Sequence, residues 1–222
     1  MGRSVGLALS AALVVLSSAA CAGDADERTA TSSPRSSSSG TTAAEPTPAY
    51  TTHSFRPALT VEPPSWLPPA PSTDEKHFLT WTGKGADVDR AVRFTSPVGL
   101  YDPGRHRHRL SPLPKDYIAY LIGLERYGAD ITTPTEIEVG GHQATLVTAS
   151  TKDGLDGSLG CQEPDQVPGD CFGLQAFAVL HLAVIDVDGS TVLAWARVVP
   201  GASYLDQDFA AFETMLRSVR FR

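Results

Sequence analysis

The sequence predicts an α+β domain, an antiparallel sheet of hairpins covered by two amphipathic helices. Two hairpin signals carry the sheet. Residues 136–139 and 144–148 flank Gly140-Gly141, and Asp188-Gly189 turns the apolar run 176–185 into residues 191–199. The helical half of the prediction rests on Leu205, Phe209, Phe212, Leu216 and Val219, whose spacing draws one apolar stripe along a helix. Hairpins pair antiparallel, and amphipathic helices bury their stripe on such a sheet.

The elements follow in chain order. Residues 55–61, with apolar side chains at alternate positions, predict a first strand, and the proline-rich stretch 63–69 a rigid irregular segment. Residues 77–81 and 91–95 are β-rich and bounded by Gly or Pro. A helix is expected next, with Pro114 at its first position, Asp116 at the positive end of its dipole, and Gly128 as its stop. Tyr117, Tyr120, Leu121 and Leu124 form its apolar face, and Ile118 and Ile122 extend that face around the helix. After the two hairpins, the last helix is expected from Ser203, with Asp206 three residues on in the manner of a capping box. Arg220-Phe221-Arg222 reads as a short final strand.

Ahead of this domain, residues 1–20 carry one charge, Arg3, then an apolar run from Val5 to Leu16, then Ser18-Ala19-Ala20. A positively flanked apolar run followed by small residues is a secretory signal; a spanning helix needs about 20 mostly apolar residues and is the weaker reading, kept open by the uncharged stretch between Arg3 and Asp24. The cysteine that follows makes it resemble the export-and-lipidation signal of bacterial lipoproteins, in which Cys21 becomes the acylated first residue of the mature chain. Ser18 stands where such signals usually carry Leu, Val or Ile, so simple secretion is the alternative address. Two or three acyl chains would anchor the protein permanently at the extracytoplasmic face of the cell membrane. Residues 21–53 are rich in Ser, Thr, Ala and Pro, too poor in apolar side chains to order, and read as a tether. The domain is then expected over 54–222.

Charge and cysteines narrow the function. Lys and Arg total 18 against 25 Asp and Glu, a formal charge of −7; removing Arg3 with the signal leaves −8. An acidic chain does not bind nucleic acid by neutralising phosphates. The cysteines are Cys21, Cys161 and Cys171. With Cys21 acylated, Cys161 and Cys171 are left as a pair in a compartment where disulfides persist, and a bridge between them would close a short polar loop.

A larger set of residues is similar to a known group. Phe55-x-Pro57-x-Leu59-x-Val61, Pro64-Ser65-Trp66, residues 113–117 opening a helix, the Val139-Gly140-Gly141 turn and the closing run 212–221 resemble secreted actinobacterial lipoproteins whose domains are PsbP-like α/β/α sandwiches. The resemblance spans about residues 55–222. It implies accessory or protein-binding roles and offers no catalytic residue to carry over.

Candidate chemistry is sparse. Arg105-His106-Arg107-His108-Arg109 places two imidazoles at alternate positions, but three arginines oppose a cation, so the segment reads as a solvated basic loop, with contact to anionic headgroups or an acidic partner patch as the alternative. Asp186-Val187-Asp188-Gly189 starts like a calcium loop yet lacks the later bidentate Glu, and a hairpin turn accounts for it. His181 and the three tryptophans read as packing residues, and no metal or cofactor is expected. Nucleophile-elbow, zinc-protease, Ser-x-x-Lys and phosphate-loop motifs are absent. The leading expectation is a non-catalytic envelope lipoprotein that binds another envelope protein. A carrier or sensor for a small or lipidic ligand is the first alternative, and an envelope hydrolase with an unrecognised site the second.

Overall fold

The computed structural model describes residues 48–83, 89–104 and 109–222. Cys21, the expected signal and most of the expected tether lie outside the described residues, as do Arg105, His106, Arg107 and His108.

The centre is a pair of long apolar strands, β11 (Val179–Val187) and β12 (Ser190–Val198), joined as an antiparallel hairpin in full register. Its loop is Asp188-Gly189, with φ of 52° and 82°. Two consecutive left-handed residues give the turn whose twist matches the strands. The second predicted hairpin forms in the same way. β7 (Thr135–Val139) and β8 (His142–Thr151) are joined by Gly140-Gly141 at φ of 62° and 85°. With β3 (Thr73–Asp74), β4 (Phe78–Thr82), β5 (Ala91–Thr95) and β6 (Ala129–Ile131), these strands form one eight-stranded sheet. Its order is β3-β4-β5-β12-β11-β8-β6, with β7 also on β8. Every pairing is antiparallel.

Strand alternation sends the side chains of β11 and β12 to opposite faces, and both sets are apolar. Ala183, Ile185, Val192, Ala194 and Ala196 pack on the first face with α2 (Leu205–Ser218). There Phe212, Met215 and Leu216 are fully buried, each burial contributing roughly 1.5–3 kcal/mol. A small sheet of β1 (Tyr50–Thr51), β2 (Leu59–Val61) and β13 (Arg220–Phe221) completes this cover. Leu180, Leu182, Leu193 and Trp195 meet the second face's cover, which is α1 (Tyr117–Gly123), the 3-10 turn Leu124–Tyr127, and an antiparallel hairpin of β9 (Leu155–Gly160) and β10 (Phe172–Leu174). Tyr117 and Tyr120 tie α1 to β9 through hydrogen bonds to the carbonyls of Leu159 and Ser158, both 3.1 Å. Cys161 and Cys171 are bridged just beyond the ends of β9 and β10. Closing the loop 162–170 contributes about 3 kcal/mol in the chain-entropy picture.

Several expectations need correction. The two predicted helices do not share the work of covering equally. α1 spans only seven residues, a β-hairpin shares its face, and Ile122 remains 40% exposed rather than covered. Its N-cap is Asp116, whose carboxylate accepts the Ala119 N–H at 2.8 Å, so Pro114 lies before the helix instead of within it. α2 begins at Leu205 without a side-chain cap, and the Ser203–Asp206 capping box is not made. The chain from Val199 to Leu205 folds instead through backbone turns, Ala202 N–H to Val199 and Leu205 N–H to Ala202. The first predicted strand shortens to Leu59–Val61, because the amide of Phe55 is used by Asp74 and Pro57 has none. The ordered chain also starts before Ser54, since Tyr50 and Thr51 pair with Val61 and Thr60.

Two carboxylates hold the layers in place. Asp208 is 1% exposed on a helix face otherwise apolar. It takes two hydrogen bonds from Arg90, Nε to Oδ2 at 2.7 Å and Nη2 to Oδ1. The Arg90 guanidinium lies between the rings of Trp66 and Tyr204, 4.5 and 4.3 Å from their centroids. One ion pair therefore fastens the irregular segment around Trp66 and the start of β5 to the first turn of α2. Asp74 fastens the beginning of the domain. It accepts the backbone N–H groups of His53, Ser54 and Phe55 and the Tyr50 hydroxyl. Burial opposes the charge on Asp74, but these four donors outweigh it and hold the carboxyl below its usual value. Burial, then the bond to Asp74, pushes the Tyr50 hydroxyl up to about 12.

Asp208→Asn keeps the shape and removes the charge facing Arg90. Breaking one side of such a buried pair is expected to lower stability by about 3 kcal/mol, read from urea denaturation. A loss within the error of the extrapolation would remove this pair from the list of major supports.

Candidate functional site

Because α1 is only two turns long, part of the second face stays open. The result is a groove of about 1230 Å³ between the sheet and the approach to α1. Cross-strand register builds its floor. Glu136, Thr145 and Val184 form one row, and Glu138 with Gln143 and Asp186 with Thr191 lie along the next. The wall is residues 113–118, including Lys115 and Asp116. Four carboxylates face one ammonium, on a polar surface rather than an apolar one. Such a groove suits a cationic, hydrogen-bonding partner and does not enclose a hydrophobic ligand.

On the first face, one cluster has the connectivity of hydroxyl, imidazole and carboxylate. Thr148 Oγ1 lies 3.0 Å from His181 Nδ1, and His181 Nε2 lies 3.2 Å from Glu213 Oε1. Glu213 also pairs with Arg217 at 3.0 Å. The Phe209 ring stacks on the imidazole at 4.7 Å. Thr148 sits within the β8 ladder, its backbone N–H given to Thr132 Oγ1 and its C=O taking the Thr132 N–H. Burial lowers the His181 pKa, and Glu213 only partly offsets it, so the ring is neutral near pH 7. These surroundings describe a polar bridge from sheet to α2, with both ring nitrogens occupied.

The other predicted residues fall as follows. The Cys161–Cys171 bridge is present, and Cys21 with residues 105–108 lies outside the described residues. Arg109 is described and exposed. Asp186 Oδ1 accepts the Gly189 N–H at 2.7 Å, which makes the Asp186 stretch a hairpin turn. Among the described residues no group of three or more His, Cys, Asp or Glu gathers to hold a metal. Trp81 and Trp195 are core, whereas Trp66 carries Arg90. Sequence reasoning did not find the groove. Its residues come from four strands, the start of α1 and the segments before it and after β5, and only Glu136 and Glu138, acidic at alternate positions of one strand, left a trace. Phe177 was also unmarked. It is 85% exposed, with φ of 61°, at the turn into β11.

The fold and groove define an antiparallel α+β domain with an open acidic surface. No protein-family model and no curated protein matches the chain. Among solved structures it is similar to cyanobacterial PsbP (CyanoP) from Synechocystis sp. PCC 6803, with 10% identity and a TM-score of 0.44 over 86% of this chain and all of that one. It is also similar to the Saccharomyces cerevisiae Ran-binding protein Mog1p, with 10% identity and a TM-score of 0.42 over 79% of this chain and 96% of that one. These are likenesses of outline, and no residue role is taken from them.

Two outcomes follow from the geometry. A histidine with a lowered native pKa lets the unfolded chain bind the proton more readily. Its contribution is therefore intact above about pH 6.5 and is lost as pH falls toward the native value. Urea midpoints are expected to drop from pH 7 to pH 5, and His181→Phe is expected to flatten that drop; an identical slope in the variant would count against it. Phe177→Gly relieves a left-handed side chain and hides nothing from water, so a thermal melt should show a gain of about 1 kcal/mol.

Proposed function

We propose that this is a non-catalytic accessory protein of the cell envelope, held at the extracytoplasmic membrane surface by acyl chains on Cys21, whose domain binds another envelope protein. The groove carries this reading. Its floor and wall present Glu136, Glu138, Asp116 and Asp186 with hydrogen-bonding side chains between them, which favours a protein segment bearing Lys or Arg. The acidic balance of the whole chain favours the same partner. A carrier would call for an enclosed apolar cavity, and the groove is open and polar. The hydrolase alternative would draw on Thr148, His181 and Glu213, and the stacking of Phe209 with the place of Thr148 in the β8 ladder support a structural role there instead.

The anchor reading rests on the signal and cysteine in the sequence. By composition and length, a coil of the roughly 30 residues after Cys21 would reach roughly 30 Å from the membrane, far enough to meet a neighbour.

Two measurements test the halves separately. A photo-crosslinker at Gln143, in living cells, should give a discrete protein adduct that is lost when Glu136 and Glu138 are both changed to Lys. No adduct, or an adduct indifferent to charge reversal, would refute the groove. Cys21→Ala should move the protein from the membrane fraction to the soluble one, and unchanged retention would refute the anchor.

A further inference from the structure

At the other end of β12 from the groove, roughly 20 Å along the strand, two arginines share the second face. Arg93 of β5 lies opposite Trp195, and Arg197 of β12 lies opposite Ala91, so the two are diagonal neighbours on one side of the sheet. Arg197 is held. Its Nε donates to Gln175 Oε1 at 3.1 Å, its Nη1 donates to the Asp89 carbonyl at 2.7 Å, and the Asp89 carboxylate lies at 3.7 Å. Arg93 is not held in this way. Its guanidinium lies 5.3 Å from the centre of the Phe172 ring, and among the described residues it has neither a hydrogen-bond acceptor nor an ion-pair partner. Phe172 itself is wedged edge-on between Phe78 and Trp195. Burial, then the charge of Arg197, lowers the Arg93 pKa.

This placement costs stability. Like charges on neighbouring positions of one sheet face repel, and the contact with the Phe172 ring offsets only part of the hydration a half-buried arginine gives up. Arg90, three residues earlier, shows the ordinary solution, a bidentate carboxylate. The planar guanidinium of Arg93 presents the N–H fork that receives a bidentate oxyanion, and the neighbouring Arg197, whose Nε and Nη1 are engaged, keeps Nη2 for a second contact.

We propose that Arg93 and Arg197 bind an oxyanion, carboxylate or phosphate, over the Phe172 ring. The anion would bridge the two guanidiniums and supply the acceptor Arg93 lacks. The site is independent of the acidic groove and takes ligands of the opposite charge.

The test uses the full chain. Thermal midpoints are measured in sodium phosphate, sodium acetate and sodium chloride at equal ionic strength, with the side-chain Nε–H signals of Arg93 and Arg197 followed by NMR in the wild type. Phosphate or acetate is expected to raise the midpoint above chloride and to move both signals. A response to phosphate alone assigns a phosphate ligand, and one to acetate alone a chain-end or small-molecule carboxylate. Arg93→Met is expected to melt above the wild type in chloride, since repulsion and desolvation are relieved, and to lose the anion response. Arg197→Gln, which keeps Arg93, should weaken the apparent affinity about tenfold. Unmoved Nε–H signals, or an anion response equal in the wild type and Arg93→Met, would overturn the proposal. The wild-type NMR arm stands even if a variant fails to fold.

Discussion

Strands β11 and β12 carry apolar side chains on both sides of the sheet, so neither face can be left to water. Most of the architecture answers that demand. The first face receives α2 and the small sheet that joins the start of the domain to its end. The second receives a helix of only seven residues, and a disulfide-closed hairpin supplies the rest of the cover. The shortness of α1 has a consequence. Where cover runs out, the sheet turns from Leu and Trp to Thr, Gln, Glu and Asp, and that uncovered part is the groove.

Polar side chains then decide how the layers sit. Hydrophobic burial is non-directional and would tolerate α2 in several positions. The Arg90–Asp208 pair, clasped by Trp66 and Tyr204, and the bridge from Thr148 through His181 to Glu213 select one of them. Both act near or within an apolar interface, where an unmet donor or acceptor is costly. Asp74 does the same for the domain's beginning by gathering three consecutive amide groups. The polar positions on α2 and β11 are thus part of the packing, and they explain why His181 belongs to the frame.

The two surfaces read for binding differ in kind. The groove is wide, exposed and acidic, suited to a basic protein segment. The Arg93–Arg197 site is small, half-buried and basic, suited to a single anionic group. They sit at opposite ends of the same strand on the same face. A partner of mixed charge could touch both, and a small anion only the second.

Local pattern was enough for the class, the two long hairpins, the stripe of α2 and the pairing of Cys161 with Cys171; Gly128 ends the 3-10 turn that follows α1, while α1 itself ends at Gly123. The legible features are written in local periods of two or 3.6 residues, in turn residues with left-handed backbone, and in cysteine arithmetic. β1, β3, β6, β9 and β10 were not legible. Four are two or three residues long, and β9 contains Gly157 and Gly160, which read as loop. Gly157 at φ of 72° also leaves room for the Tyr101 ring, a neighbour far along the chain. Only tertiary packing set the helices on opposite faces, brought Asp208 to Arg90 across 118 positions, and joined four strands, the start of α1 and the segments around it into one groove. The reason is physical. Periodicity tells each strand which side chains share a face, but only the completed register tells which strand lies beside it and what remains uncovered.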